Sequence, residues 1–201
     1  MSKPFLIVGI GRSGTVFLQR TMDKSKRWHV KHEAKTDLKH VWIPPQPSRI
    51  QLIQRRFNRQ EYYGEVNWLL LYHSEHMKLG QRGIIFRDPV EVWISLCNMW
   101  GSARRANRLI YHFYPFYRQL ASLAASGRYH IISFRQMTTS GKYLRRVLND
   151  FGINDVEITP EMLKKKIHAT TIPRYNSLAD LSSATRAEVL RWKKIVERWL
   201  D

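Results

Sequence analysis

The chain has 201 residues, the size of one ordinary domain, and 43% of them are hydrophobic. This composition excludes an intrinsically disordered chain and predicts a single domain over residues 1–201 with a packed core. The net charge of +18, from 34 Lys and Arg against 16 Asp and Glu, indicates an anionic partner. Nucleic acid, phosphorylated or sulfated small molecules, acidic polymers and anionic membranes all fit that charge.

Cysteine content and the amino-terminal segment indicate the compartment. The one cysteine, Cys97, cannot form an intramolecular disulfide, and no Cys/His spacing resembles a zinc site. The apolar run near the start, 5–10, is too short for a secretory signal or a membrane span. We therefore expect a reduced, cytoplasmic protein with no membrane span and no bound metal.

Strands and helices alternate along the chain. Apolar runs of β-forming residues predict five strands: 5–10, 28–32, 62–68, 83–86 and 129–134. Helical spacing and capping residues predict helices at 16–22, 51–58, 69–78, from Asp88-Pro89 onward, and at 106–125 and 182–200. This alternation predicts a three-layer α/β fold: a central parallel sheet with a P-loop-like strand-loop-helix start and helices on both faces.

Positive charge is concentrated between Glu91 and Asp150, where no acidic residue occurs. The basic residues in this stretch are Arg104, Arg105, Arg108, Arg118, Arg128, Arg135, Lys142, Arg145 and Arg146. Ordinary protein surfaces mix charges of both signs, so an anion-binding wall is favoured over a merely solvated basic helix face.

A glycine-rich segment, Gly9-Ile10-Gly11-Arg12-Ser13-Gly14-Thr15, follows the first predicted strand. Backbone N–H groups, a helix N-terminus and hydroxyl groups converge in such a loop, so we expect it to bind a phosphate. A nucleotide-triphosphatase loop would have Lys at the position of Thr15. The Gly-x-Gly-x-x-Gly pattern of dinucleotide-binding proteins is also present, with Glu33 near the distance of the ribose-binding acid. Glycine spacing alone therefore leaves the ligand open.

A second motif favours one of the ligand classes that the glycine spacing leaves open. The fourth predicted strand runs into Arg87-Asp88-Pro89, and Ser95 follows in the next helix. Together with Arg12-Ser13-Gly14-Thr15, this motif resembles the sulfotransferases that use 3′-phosphoadenosine 5′-phosphosulfate (PAPS). The resemblance extends to the strand at 129–134 and the helix at 144–152.

The resemblance implies roles for individual residues. The residues expected to bind the 5′-phosphosulfate are Gly11, Arg12, Ser13, Gly14, Thr15 and Val16, and those expected to bind the 3′-phosphate are Arg87, Ser95 and, from a late segment, Arg174. A fixed cation at Arg12 would neutralise the bridging oxygen as the sulfuryl group leaves. The product would be 3′-phosphoadenosine 5′-phosphate (PAP), and the reaction would need no metal.

A general base must take the proton of the acceptor hydroxyl. In the tyrosylprotein-type sulfotransferases a Glu follows the second strand, which corresponds here to Glu33, with His32 before it as a weaker candidate. Heparan-type members place a Glu in the third strand, which corresponds to Glu65. Glu33 is the favoured base, and the alternative for each Glu is an ion pair with one of the many arginines.

The chain departs from the family pattern at three places. Gly11 stands where the family usually has Pro, and Arg12 stands where many cytosolic members have Lys. The Arg form is more similar to the tyrosylprotein and bacterial glycolipid sulfotransferases. The segment Phe134-Arg135-Gln136-Met137 stands where members often have Tyr-Glu-Asp-Leu, so the adenosine contact made there is not expected to be the same.

The predicted function is sulfuryl transfer from PAPS to a hydroxyl or amine of a small-molecule or glycan acceptor, and an anionic acceptor would suit the basic surface. Two alternatives remain. A P-loop kinase of a nucleotide or small metabolite would share the strand-loop-helix start, but its lysine is missing. A nucleic-acid-binding protein would share the charge, but no helix-turn-helix or RNA-binding motif is present.

Overall fold

The structure, a computed structural model, describes residues 4–32, 47–77, 80–103, 107, 110–164 and 175–200. Several sequence predictions fall outside these residues. They are the base candidate Glu33, the late Arg174, and the basic residues Arg104, Arg105 and Arg108.

Five parallel strands form one sheet. They are β1 (Phe5–Val8), β2 (His29–Lys31), β3 (Tyr63–Val66), β4 (Gln81–Phe86) and β5 (His130–Ser133). Their order across the sheet is β2-β3-β1-β4-β5, and every neighbouring pair is parallel. All four residues of β1 are buried, as expected of a central strand covered on both faces.

Helices follow the strands in chain order. They are α1 (Thr15–Met22), α2 (Pro47–Arg59), α3 (Pro89–Trp100), α4 (Ile110–Ala125), α5 (Phe134–Thr139), α6 (Gly141–Asp150), α7 (Pro160–Lys164) and α8 (Ser183–Val196). Short 3-10 helices occur at Trp68–His73, Leu178–Asp180 and Glu197–Trp199. Within the described part of the chain, no helix has both the length and the apolar character needed to cross a bilayer.

Two apolar clusters lie on opposite faces of the sheet, because successive side chains of a strand point in opposite directions. Leu6 and Ile84 belong to the cluster that includes residues of α2, α3, α4 and α8. Phe5, Ile7 and Ile85 belong to the cluster that includes residues of α1, α5 and α6. The molecule is therefore a three-layer α/β fold with a central parallel sheet and a strand-loop-helix start, and that fold prediction is confirmed.

Two of the differences between the predicted and the observed elements have a local cause. The helix expected at 69–78 is only the 3-10 helix at Trp68–His73, and the Ser74 hydroxyl donates to the carbonyl of Leu71 at its end. Phe134 was expected to end the fifth strand, but it begins α5. The Ser133 side chain caps that helix by accepting from the N–H of Gln136, which ends the strand one residue early.

Candidate functional site

The two sequence motifs meet at one edge of the sheet. β1 and β4 are neighbours, and the chain leaves them in opposite directions, since β1 leads to β2 on one side and β4 leads to β5 on the other. Ligands of open α/β sheets bind beyond the carboxyl ends of the strands at such a switch point. The glycine-rich loop, 9–15, follows β1, and Arg87 follows β4. The fold thus places both motifs where a ligand is expected.

The loop turns through two left-handed residues. Arg12 has a φ of 72° and Gly14 a φ of 100°. A positive φ is uncommon for a residue with a side chain, and such backbone strain is concentrated at functional sites. Gly14 is the N-cap of α1 and provides no side-chain acceptor for the first N–H groups of that helix. These N–H groups and the helix dipole favour a bound anion.

Arg12, Arg87 and Ser95 form one hydrogen-bonded group. The Arg12 Nε donates to the Ser95 Oγ at 2.9 Å, and the Arg87 Nη1 donates to the backbone oxygen of Arg12 at 2.9 Å. Burial, and then the positive charge of Arg87, lower the pKa of the Arg12 guanidinium. Two guanidinium groups at one partly buried place create a strong positive potential, which an anion would relieve.

Arg87 is held from two further sides. Its Nε donates to the Glu91 Oε2 at 2.9 Å, and its side chain is 21% exposed against 53% for Glu91. Its guanidinium carbon lies 4.2 Å from the centroid of the Phe134 ring. Glu91 is not among the site residues predicted from the sequence. Its i,i+4 spacing from Arg87 indicates an ion pair, because residues four apart on a helix are neighbours. No local signal pointed to the contact with Phe134.

Ser13 is a buried residue of the loop and lies against Gly9. Its side chain is 1% exposed, and its Oγ has no hydrogen-bond partner in the described part of the chain. A Cβ added to Gly9 would lie 2.4 Å from that oxygen, so the hydroxyl packs against the start of the loop. The Ser13 N–H donates to the oxygen of Ile10 at 2.9 Å. The phosphosulfate contact expected of Ser13 stays a prediction.

His32 reaches the other side of the loop. The Thr15 hydroxyl is 3.0 Å from the His32 Nε2, and Thr15 is buried. This contact joins the carboxyl end of β2 to the first residue of α1. Val16 lies half-buried in the same first turn, and Gly11 lies beside the indole of Trp68, at 3.9 Å from an added Cβ. His32 and Glu65 are the base candidates that the structure describes. Of these two, His32 contacts the loop, through Thr15.

Glu65 lies in the interior of the sheet and is fully buried. The Tyr63 hydroxyl donates to the Glu65 Oε1 at 2.5 Å, and the Asn67 Nδ2 donates to the Oε2 at 3.5 Å. Burial raises the pKa of Glu65, and the two hydrogen bonds and the charges of Arg56 and Lys31 oppose that rise. Among the described residues, the hydrogen-bond partners of Glu65 are thus a tyrosine and an amide, and none belongs to the loop at 9–15.

The late segment returns to α3 just after Arg174. The Asn98 Nδ2 donates to the backbone oxygen of Tyr175 at 2.8 Å, and the Tyr175 N–H donates to the Asn98 Oδ1 at 3.0 Å. Asn98 lies one helical turn beyond Ser95 on α3. Tyr175 is thereby held near the helix that carries part of the site.

Several residues of the basic stretch have structural contacts. Arg128 forms an ion pair with Glu75, and Arg145 donates to the backbone oxygen of Val156 at 2.5 Å. Arg146 lies over the ring of Tyr143, with its guanidinium carbon 4.6 Å from the centroid. At least three of the nine basic residues are therefore held by contacts within the fold.

The strand order separates this fold from the dinucleotide-binding fold. In that fold, with order 3-2-1-4-5-6, β2 lies beside β1. Here β3 lies between β1 and β2, so the Gly-x-Gly-x-x-Gly spacing stands in a different sheet. Comparisons of the chain with protein-family models, with curated proteins and with solved structures find no match.

Proposed function

We propose that the protein is a sulfotransferase that moves a sulfuryl group from PAPS to a hydroxyl or amine of a small-molecule or glycan acceptor. The observation that carries this proposal is the hydrogen-bonded group of Arg12, Ser95 and Arg87 at the switch point of the sheet. The resemblance of the two motifs to the PAPS-dependent family supports the choice of ligand. A donor with anionic groups at both its 3′ and 5′ positions suits two guanidinium groups on neighbouring strand ends.

The transfer assigns separate tasks to the two arginines. The acceptor oxygen or nitrogen forms a bond to sulfur, and the bond from sulfur to the bridging phosphate oxygen breaks. Arg12 and the N–H groups at the start of α1 stabilise the negative charge that develops on the 5′-phosphate of PAP, the leaving group. Removal of one such donor typically lowers kcat about 100- to 1000-fold. Arg87 and Ser95 hold the 3′-phosphate and so fix the donor.

The acceptor proton goes to a base at the end of β2. The contact between His32 and Thr15 supports a base in the pair His32-Glu33, with Glu33 favoured by the resemblance. The full burial of Glu65 and its bonds to Tyr63 and Asn67 argue against Glu65. Once an acceptor is found, Glu33→Gln should abolish turnover of PAPS and Glu65→Gln should retain it. The reverse pattern would move the base to β3.

Binding of PAP, measured by titration calorimetry at one fixed salt concentration, tests the site itself. Arg12→Ala and Arg87→Ala should each weaken PAP binding about 10- to 100-fold, since each removes a charge-assisted contact to a phosphate. Arg146→Ala is the matched control, because it removes the same charge and a guanidinium that also lies on an aromatic ring. Equal loss in all three variants would show non-specific attraction and would contradict the proposal.

A further inference from the structure

We infer that Phe134 is a positioning residue for Arg87. Its ring holds the Arg87 guanidinium in the orientation that binds the 3′-phosphate. The inference rests on the proposed function, which gives that phosphate to Arg87. It assigns a role to the segment where this chain departs from the family's Tyr-Glu-Asp-Leu pattern.

The ring of Phe134 contacts both of the elements that we propose to bind the donor. The Arg87 guanidinium carbon is 4.2 Å from the ring centroid. A Cβ added to Gly14 would lie 2.4 Å and 2.6 Å from the Cδ2 and Cε2 atoms of the ring. The ring therefore packs against the backbone of the loop and against the guanidinium of the second motif.

The sheet register places Phe134 beside Arg87. Phe86 of β4 pairs with Ser133 of β5 at the carboxyl end of the two strands. Arg87 and Phe134 are the next residues, so they leave adjacent strands at the same level. Ser133 is itself fixed, because its side chain caps α5 and its N–H donates to the hydroxyl of Tyr143 at 2.9 Å. The position of the ring thus follows from the backbone of the sheet.

Three contacts together orient the guanidinium and leave part of it open. The guanidinium carbon lies over the ring of Phe134, the Nε donates to Glu91, and the Nη1 donates to the backbone oxygen of Arg12. The contacts given by the described residues leave the Nη2 and the second N–H of the Nη1 for a ligand. These donors lie in one plane and match two oxygens of a phosphate. Without the ring, the guanidinium would keep its two hydrogen bonds and lose the packing contact that holds it beside the loop.

The test compares the affinity for PAP with that for adenosine 5′-phosphate, which lacks the 3′-phosphate. Phe134→Leu should reduce the ratio of these affinities about 2- to 30-fold, the range expected for loss of a cation–π contact. Adenosine 5′-phosphate reports any damage to the loop at Gly14, so the ratio isolates the effect on Arg87. Arg87→Ala removes the guanidinium itself. It therefore gives the lowest ratio of PAP affinity to adenosine 5′-phosphate affinity that loss of this contact can produce.

Phe151→Leu is the matched control. Phe151 is a buried ring of the same apolar cluster, and it packs near Gly83 toward the opposite end of β4. This variant should destabilise the fold and keep the wild-type ratio. Phe134→Met serves as a second variant should Phe134→Leu fail to fold, and Phe134→Tyr, which keeps the ring, should retain the ratio.

The outcomes separate the two proposals. A wild-type ratio in Phe134→Leu or in Phe134→Met would overturn the role of Phe134 and leave PAP binding intact. An equal fall of the ratio in Phe151→Leu would also overturn it, because general destabilisation would then explain the effect. Absence of PAP binding by the wild-type protein would overturn the proposed function and this inference with it.

Discussion

Arg12 and Arg87 place two positive charges in one small, partly buried group. The Arg12 side chain is fixed on Ser95, and its backbone oxygen accepts from Arg87. Burial, and then the positive charge of Arg87, lower the pKa of Arg12, so the two partly buried guanidinium groups cost free energy when no anion is bound. A ligand with two phosphate groups would remove the cost. In the proposed function, these residues bind an anion at the expense of stability.

Glu65 provides a test at the same scale. Burial raises its pKa, so the folded state binds a proton more tightly than the unfolded state does. The carboxyl group therefore makes folding less favourable as the pH rises from its unfolded pKa through its folded pKa. Glu65→Gln removes this effect, because an amide does not ionise. We expect the unfolding free energy of the variant, relative to wild type, to increase over that pH interval and to level off above it.

Urea unfolding of both proteins across the acid and neutral range measures this difference. Glu157→Gln, at an exposed position, is the control for the chemical change itself. Parallel stability curves for the wild type and Glu65→Gln would show that burial does not perturb the carboxyl group. Because Glu65 is not the favoured base, Glu65→Gln should also bind PAP with wild-type affinity.

At the scale of elements, α3 joins the site to the core. Its polar positions carry Glu91, Ser95 and Asn98, and its buried positions include Trp93 and Cys97. Burial raises the pKa of the Cys97 thiol to about 11, as expected for an inert core cysteine. A helix of this kind positions its polar residues well, since packing on the opposite side fixes its rotation.

The start of α3 can be tested through Asp88. One Asp88 oxygen accepts from the N–H of Val90 at 2.8 Å, and the other accepts from the Lys193 Nζ of α8 at 2.8 Å. Asp88→Ala removes the cap and the ion pair and should lower the unfolding free energy by about 1–2 kcal/mol. Asp88→Asn keeps a good cap and loses only the ion pair, so it should cost less than about 1 kcal/mol.

Chemical denaturation of the two Asp88 variants beside Lys193→Ala separates these contributions. Lys193→Ala should match Asp88→Asn, because both lose the same ion pair. Equal stability of Asp88→Ala and Asp88→Asn would contradict the capping role of the side chain.

At the scale of the whole molecule, the local sequence pattern predicts which segments are strands and helices better than it predicts how they are arranged in the fold. β1 and α1 could be predicted, because a buried parallel strand is a continuous apolar run and the glycine-rich turn limits it. The strand order could not be predicted, because no local sequence pattern indicates which strands pair in the sheet. The bond between Arg12 and Ser95 spans 83 positions of sequence, and only the folded sheet brings the two together. The contact of Phe134 with Arg87 depends in the same way on the register of β4 and β5.

The packing of α8 against the rest of the molecule gives a second test of stability. Trp192 is fully buried, and its ring centroid lies 5.6 Å from those of Phe113 and Tyr117 and 5.4 Å from that of Trp93. Trp192→Ala should lower the unfolding free energy by about 3–5 kcal/mol, because it removes a large side chain and leaves a cavity. Leu190→Ala on the same helix is the control, since Leu190 is 45% exposed and should cost little.

These two variants are compared by urea unfolding. A loss of several kcal/mol in Leu190→Ala, or a negligible loss in Trp192→Ala, would contradict the packing described for α8. PAP affinity of the folded fraction should stay near wild type in both, because neither residue belongs to the site.

The proposed ligand is tested most directly by thermal unfolding with PAP, with ATP and magnesium, with NAD, and with no ligand, at one fixed salt concentration. A ligand at about a hundred times its Kd stabilises the folded state by about 2.7 kcal/mol, which raises the Tm by about 5–11 °C in a domain of this size. We expect this rise with PAP alone, and we expect it to disappear in Arg87→Ala. A rise with ATP and magnesium and none with PAP would contradict the sulfotransferase proposal and favour a kinase.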